Sequence, residues 1–501
     1  MNEVIMESAK TGALTARYNS ISIHSGYDPE KEALRFLDSQ QIDARGTVVI
    51  IGAGLGYLDA LLSAKYPACK IISCHLIPEL YRRRIESKAP VHRWNPAANT
   101  DIESYFFEVI EELDTLRLHI VEWPAEARAV PGEAAQVRNA LRRVVRRYTG
   151  NITTTAAFGR LWLRNTLRNF LEIDKFTVPE QFSGAVVIAA SGPSLEYQLA
   201  ALKANRDKFQ LWALPSSLPA LLRAEIQPNL IFSSDPGHWT RLHSRYFPKD
   251  IPIAMPLTAL PPPPSSAPPM LLSQNASGES FLLGAETWPR VQVPQAGSVA
   301  ITAIEAWRKL CRGPLVLAGL DLCWSDLRAH TRPHAFDSWF AAQAGRLRPH
   351  LAIQWKNAES GAPRRIGRFR TGFALSAYAD WFQSIQFDAP VFRLTAKDQP
   401  EYPNALHGVK NAGEAVFNEF TPVTLRCRVQ PAPLNREKRR QKILSLLRQW
   451  HENSDMNVGY FLDPRGILNM ARRGTVSEEA WENHCGRVKE ALRELMETCE
   501  R

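Results

Sequence analysis

Long apolar runs are missing from this sequence. Its 501 residues contain no stretch of about 18 apolar ones, and the opening Met1 to Ser8 has no basic region followed by an apolar one. Neither a membrane span nor a secretory leader is expected, so the expected location is cytoplasmic, with no membrane partner. Paired cysteine spacing is missing too. Cys69, Cys74, Cys311, Cys323, Cys427, Cys485 and Cys499 are scattered, which excludes a disulfide framework or a zinc site and reads as reduced thiols. The basic residues lack interleaved aromatics. Arg138, Arg142, Arg143, Arg146 and Arg147 share one side of a predicted helix whose other side is Val137, Leu141, Val144 and Val145. Without a stacking platform this face reads as solvated, and no nucleic-acid partner is expected. The net charge of +10 suits an anionic small substrate equally well.

A carboxylate is absent where a cofactor needs one. Thr47 to Ile51, the turn Gly52-Ala-Gly54-Leu-Gly56, a helix, and Lys70 to His75 predict strand, glycine turn, helix and strand, half of a Rossmann-type unit. Dinucleotide or S-adenosylmethionine binding calls for an acid at the end of the second strand, to hold the ribose hydroxyls. His75 or Leu76 stands there, and Glu79 comes only after Pro78. This domain, residues 1–150, is therefore expected to be structural or to recognise a partner. Ahead of its strand, Asp28 and Pro29 predict a helix start with acids in the first turn, and residues 100–150 read as helical. Residues 151–180 read as a helical connector that packs Trp162 and Leu167.

What the chain does have, with 45% apolar residues, is material for two or three buried cores. The second domain, residues 181–404, opens on Gly184-Ala-Val-Val-Ile-Ala-Ala-Ser191-Gly192-Pro193-Ser194. A run without polar alternation predicts a strand buried on both faces, and the helix after it has Ser194 as its expected N-cap. Gly192 is expected to admit a phosphate close to the backbone, with Pro193 stiffening the turn; the plain alternative is an ordinary strand-to-helix turn. Further strands end in polar residues: the stretch from Phe209 through Leu214 before Ser216, that from Pro228 through Phe232 before Asp235, and that from Gly313 through Ala318 before Gly319 and Asp321. Gly297-Ser298 starts another helix, whose N-terminus suits a phosphate or carboxylate. Asp235 suits ribose or amide groups of a nucleotide, or a metal, or a helix N-cap. Polar ends of parallel strands converge at one sheet edge, where ligands sit in such folds.

Two histidines follow, His330 and His334. An imidazole of near-neutral pKa can take a proton from an attacking hydroxyl, and His330 is the first candidate and His334 the second. Exposed loop histidines are the plain alternative. No third ligand has metal-site spacing, so no metal is assigned. The arginine-rich Gly361–Arg370 suits a mobile basic flap, and two helices, Asn435 to about Glu452 and Ser477 to about Cys499, suit a C-terminal cap within 405–501.

These motifs, in this order, resemble those of bacterial motility accessory factors and archaeal-type 6-hydroxymethylpterin diphosphokinases. Val187-Ile-Ala-Ala-Ser-Gly-Pro-Ser-Leu195 also resembles the opening of bacterial CMP-sialic-acid-dependent sialyltransferases. Further matches are Ser25-x-Tyr-Asp-Pro-x-x-Glu-Ala33, Trp162-x-x-Asn-x-x-x-Asn169, Gly297-Ser298 paired with Gly319-x-Asp321, the Thr331 to Ala335 segment and Tyr378-x-x-Trp381. The resemblance covers roughly residues 20 to 395. The Glu-Gly-Gly-Ala-like turn usual after the last strand is absent. The resemblance implies an α/β protein of two Rossmann-like doubly wound domains in tandem plus a C-terminal helical region. It implies transfer of a nonulosonic sugar from a CMP-activated donor to a protein hydroxyl, on flagellin or another protein, with no further cofactor. His330, Asp235 and His334 are then the catalytic candidates. Ser191, Gly192, Pro193, Ser194, Ser216, Gly297, Ser298, Gly319 and Asp321 are the donor-binding candidates. A pterin diphosphokinase using ATP and Mg²⁺, or a non-catalytic export or assembly factor, stands as the alternative.

Overall fold

Two continuous Val and Ile runs, Thr47–Ile51 and Val186–Ala189, each lie inside a parallel sheet. The computed structural model describes residues 3–500 apart from 45, 88–89, 238, 277, 285, 296, 454–455 and 473–477. The chain divides into two units, Met1–Gly159 with Gly459–Glu490, and Arg160–Val458 with Ala491–Arg501.

In the first unit, β1 (Val4–Ser8), β2 (Leu14–Tyr18) and β3 (Ile21–Ser22) form an antiparallel meander. The helix Pro29–Asp38 starts as expected, with the Asp28 carboxylate accepting from Lys31 N at 3.0 Å. Then β4 (Thr47–Ile51), β5 (Lys70–Cys74), β6 (His92–Trp94) and β7 (Leu118–Glu122) build a parallel sheet in the order β6-β5-β4-β7. β7 corrects the helical expectation for that stretch. It is an edge strand that buries little besides Val121, so it lacks the apolar run that marks β4. The helix Pro131–Glu172 then runs 42 residues, continuing through the expected connector. Its Val137, Leu141 and Val144 are buried, while Arg138 and Arg143 pair with Glu122 and Glu103 at 2.7 and 2.6 Å.

The glycine turn of this unit is occupied by the chain itself. The buried Glu126 carboxylate accepts from Gly54 N at 2.5 Å and from Leu76 N and Ile77 N at 2.9 and 3.0 Å. Burial raises its pKa, against the pull of those backbone bonds and of His75. His24 Nε2 takes Leu55 N at 2.9 Å, and a Cβ on Gly54, whose φ is +54°, would lie 2.3 Å from that nitrogen. C-terminal residues complete the unit, with Tyr460, Ile467 and Met470 packing on Ile152.

The second unit contributes β8 (Lys175–Pro179), β9 (Val186–Ala189), β10 (Gln210–Ala213), β11 (Leu230–Phe232), β12 (Ile253–Pro256), β13 (Met270–Ser273) and β14 (Arg290–Gln292). After them come β15 (Leu315–Ala318), β16 (Trp324–Ser325), β17 (Arg364–Ile366), β18 (Phe369–Thr371), β19 (Val391–Leu394), β20 (Lys410–Ala412) and β21 (Cys427–Pro431). Nine of these form one parallel sheet, β14-β13-β12-β11-β10-β9-β15-β19-β20, while β8 pairs with β21. Val186 and Ile188 face a core built with Ala303, Ile304 and Trp307 of the helix Val299–Leu310. Val187 and Ala189 face the other, built with Leu195, Leu202 and Leu218. Burial on both faces is why these strands are apolar throughout, and the doubly wound α/β class holds for both units. The proline-rich loop 261–269 joins β12 to β13 and is mostly half-buried.

C-terminal residues enter both units. They hold helices Arg436–Asn453, Met456–Leu462, Pro464–Arg472 and Glu478–Glu500, where the sequence suggested two. The expected start at Ser477 lies outside the described residues. No described helix is long and apolar enough to cross a membrane.

Candidate functional site

Parallel strands bring their carboxyl ends to one edge. From β9 the chain winds through β10 to β14 on one side, then returns to lay β15 on the other side of β9, so the direction switches between β9 and β15. The helix Val299–Leu310 starts at this same edge, directly after β14.

At the switch, the two strands close on each other. Gly192 N donates to Gly319 O at 2.7 Å. A Cβ on Gly192 would lie 2.5 Å from the Asp321 carboxylate and from Gly319 O, and one on Gly319 (φ +65°) 2.5 Å from Ala190 O. These glycines serve a close approach of chain to chain, so the room expected for a phosphate at Gly192 is taken. Ser194 N donates to Asp321 Oδ2 at 2.8 Å and its hydroxyl to Asp321 Oδ1. Ser194 is helical (φ −61°, ψ −25°) and makes no side-chain cap bond, which corrects the N-cap expectation: its hydroxyl is committed to Asp321. Asp321 is sealed in, 2% exposed, and burial raises its pKa against the Ser194 bonds and the Arg393 guanidinium.

Ser191 points the other way. Its Oγ lies 2.8 Å from His330 Nδ1, and its carbonyl accepts from Thr331 N at 2.6 Å. On either side of His330 in sequence, Arg328 Nη1 and Arg332 N donate to the Glu196 carboxylate, both at 2.8 Å. The histidine loop is thus pinned to the β9 turn and to the first turn of the helix Leu195–Ala204, a brace that the sequence did not disclose.

His330 stacks on His334 with centroids 4.3 Å apart and planes 4° from parallel, and His334 meets His243 edge-on at 5.1 Å. Phe336 packs 4.9 Å from both His334 and His243, and Trp239 meets Trp339 at 4.8 Å. Burial, with repulsion from His243, lowers His330 to about 4. Burial and its two histidine neighbours lower His334 to about 2, and burial lowers His243 to about 4 against the charge of Asp235. All three imidazoles are neutral at pH 7. His334 Nδ1 accepts from Phe336 N at 3.3 Å, so its proton sits on Nε2 and it supports the stack. His330 is only half-buried, and with Nδ1 against Ser191 its Nε2 is left to exchange a proton. Among the described residues, His334 Nε2, His243 Nδ1, Thr240 Oγ1 and Thr331 Oγ1 are buried without a hydrogen-bond partner, as are Trp212 Nε1 and Trp307 Nε1 in the core of the same unit. No three His, Cys, Asp or Glu side chains among the described residues are grouped to hold a metal ion.

Asp235 is exposed, its Oδ1 accepting from Gly237 N at 2.7 Å; it caps no helix, because Trp239 occupies that position. Sequence reasoning missed His243. Its signal was the four-residue step from Trp239, which places both on one side of a helical turn. It also missed what Asn165 and Asn169 do. Each buried amide donates to two carbonyls, Asn165 to Pro236 and Thr258 at 3.4 and 3.1 Å, Asn169 to Leu257 and Ala259 at 2.8 and 2.9 Å. They brace the loops after β11 and β12, next to Asp235. Ser191, Gly192, Ser194, Gly319, Asp321, His330 and His334 therefore form one connected cluster, which Asp235 adjoins through His243. Pro193 is buried in its turn. Ser216, Gly297 and Ser298 share the same sheet edge. Ser216 is half-buried beside Ser217, whose hydroxyl bonds Ala189 O at 2.9 Å; Gly297 O accepts from Tyr378 OH at 2.7 Å. Ser298 is extended and makes no side-chain cap bond, so it does not occupy the first N–H groups of the 12-residue helix behind it.

Comparison with known proteins adds the following. Residues 163–327 match a family model described as 6-hydroxymethylpterin diphosphokinase MptE-like. An uncharacterized protein of Treponema pallidum (strain Nichols) is 30% identical over 272 residues, 53% of this chain and 56% of its own length. A second from the same organism is 22% identical over 175 residues, 33% of this chain and 81% of its own length. The chain thus spans little more than half of the first relative. The solved structure of a MAf glycosyltransferase from Magnetospirillum magneticum AMB-1 matches with a TM-score of 0.58 at 11% identity, covering 100% of this chain and 92% of that one. At that identity the likeness is one of fold.

Proposed function

From a chain whose residues 163–327 carry an MptE-like domain and whose fold is that of a MAf glycosyltransferase, we propose that it is a glycosyltransferase moving a nonulosonic sugar from a CMP-activated donor to a protein Ser or Thr, on flagellin or another protein, in the cytoplasm. The observation that carries this reading is the neutral, half-buried His330, bonded to Ser191 on a loop that Glu196 holds through Arg328 and Arg332, at the edge where open α/β sheets take ligands. With its own proton on Nδ1 and donated to Ser191 Oγ, His330 takes the proton of the acceptor hydroxyl on Nε2 as that oxygen attacks the anomeric carbon. The bond from that carbon to the phosphate breaks, and CMP leaves with the bonding pair. The free N–H groups behind Ser298 receive the departing phosphate, and Ser216 and Asp235 hold the nucleotide. Gly192, Ser194, Gly319 and Asp321 keep the β9 and β15 turns in register beneath it.

The test is a thermal shift with CMP and with ATP plus Mg²⁺, on the parent and on His330→Gln. CMP is expected to stabilise both proteins, because binding to the folded state alone raises the melting point. Stabilisation by ATP with Mg²⁺ and not by CMP would favour the pyrophosphoryl transfer that the family model's description names.

A further inference from the structure

Between β16 and the helix Phe373–Trp381 the chain inserts the helices Asp337–Ala342 and His350–Gly361 and the hairpin β17–β18. Residues 337–373 hold seven Arg or Lys against two Asp or Glu, a surplus of five out of the chain's net +10, in a small fraction of its length. The same segment exposes Leu347 at 92%, Phe373 at 70%, Leu351 at 68% and Trp355 at 49%. Charge alone describes a solvated face. Charge together with exposed large apolar side chains describes a surface that is covered in use.

The surface is built in advance. Arg370, 2% exposed, donates to Glu359 at 2.5 Å and to Ala362 O at 3.0 Å, tying the hairpin to the helix His350–Gly361. The guanidiniums of Arg365 and Arg370 lie 5.8 and 5.6 Å from the Trp355 ring centroid. Arg364, Arg365 and Arg368 themselves are exposed on the hairpin. The face is also continuous with the histidine site: Phe336 packs on Phe340 at 6.4 Å, Phe340 on His350 at 6.5 Å, and Trp339 on Trp239.

We infer that this insertion is the docking surface for an acidic polypeptide with interspersed large apolar residues, which it holds while one of its hydroxyls reaches His330. This rests on the proposed transferase activity for its purpose, and on charge and exposed apolar area for its chemistry. Continuity with the catalytic histidines favours a polypeptide substrate over an anionic bilayer, which has no need of that site.

The probe is a fluorescein-labelled 18-residue peptide alternating Glu with Leu and Phe around one Ser, with a Lys-for-Glu counterpart and 30% phosphatidylserine vesicles as the other arms. The acidic peptide is expected to bind. The triple reversal R364E/R365E/R368E should weaken it about tenfold or more, and raising salt from about 50 to about 300 mM should weaken it several-fold. L347S/L351S should weaken it about threefold while leaving the melting point unchanged. Absence of binding, equal binding of the Lys peptide, indifference to the triple reversal, or vesicle binding without peptide binding would each overturn the inference. The CMP shift read on the parent, where the peptide binding is read, separates the two claims. Peptide binding without a CMP shift ends the transferase reading and leaves the docking surface standing.

Discussion

Gly54 and Gly192 each lie in a turn between a buried parallel strand and the helix that follows it, and in both turns a buried carboxylate from elsewhere in the chain takes backbone N–H groups. In the first unit Glu126 binds Gly54, Leu76 and Ile77 while His24 closes the remaining side. In the second, Asp321 takes the backbone N–H and the hydroxyl of Ser194 and faces the Arg393 guanidinium, and Ser191 turns its hydroxyl to a half-buried histidine. A glycine-rich strand-to-helix turn is therefore no measure of ligand binding by itself. Among the described residues, buried polar atoms without a hydrogen-bond partner occur beside both, His24 Nδ1 and His75 Nε2 in the first and His334 Nε2 in the second. What separates the two is that the side chains at the first turn are sealed in, whereas half-buried His330 stays accessible beside the second.

The largest effect expected from sharpening this comparison is chemical. His330→Ala should lower transfer by about 10²–10⁴-fold with the CMP shift retained, since general-base catalysis contributes on that order. A rate within a few-fold of the parent would place the base elsewhere.

Next come the glycines. Gly54→Ala and Gly192→Ala are each expected to cost about 3 kcal/mol in urea unfolding, by overpacking and, at Gly54, by a left-handed φ. Gly192→Ala strikes the Gly319 carbonyl as well as Asp321, so it does not test a phosphate contact with the fold left intact. A neutral result at Gly54 would mean that His24 moves freely, and the first turn would no longer count as closed.

Acid should weaken both units in a graded way. His24 in the first and His334 in the second are buried and neutral, with pKa values of about 3 and about 2 against 6.5 for the free side chain. Below pH 6.5 the unfolded chain binds protons that the folded chain does not, so stability falls as pH falls from about 6.5 toward those values. The slope is about 1.4 kcal/mol per pH unit for each residue. Urea midpoints between pH 7 and 5 read this directly, and His24→Asn should remove one residue's share of the slope.

The smallest expected effect is none at all. Titration calorimetry of the full chain with S-adenosylmethionine and with NAD should show no heat attributable to the first turn, because Glu126 and His24 occupy it. Micromolar binding of either would break the comparison.

Much of the second sheet was legible because β9, β10, β11 and β15 are buried on both faces and end abruptly in polar residues. β7 was not, since an edge strand with one buried residue carries no apolar run, and β12 and β13 flank a proline-rich loop that hid both. The site was legible as a set of residue types and illegible as geometry. Gly319-x-Asp321 reads the same whether the acid faces a ligand or, as here, the N–H of Ser194. His330 could be named from its place in the chain, and His334 lies four residues on, but the partner Ser191 sits on a loop about 140 residues earlier, which no local pattern announces.

The return of Gly459–Glu490 to the first unit bears on how the protein is made. A ribosome adding roughly 5–20 residues per second needs on the order of 15–60 s between releasing Gly159 and supplying those closing residues. Throughout that interval the nascent first unit displays Ile152 without Tyr460, Ile467 and Met470 to cover it. The portion synthesised first therefore stays incomplete until almost the whole chain has been made, so a truncation or stall ahead of Gly459 leaves it without its closing residues.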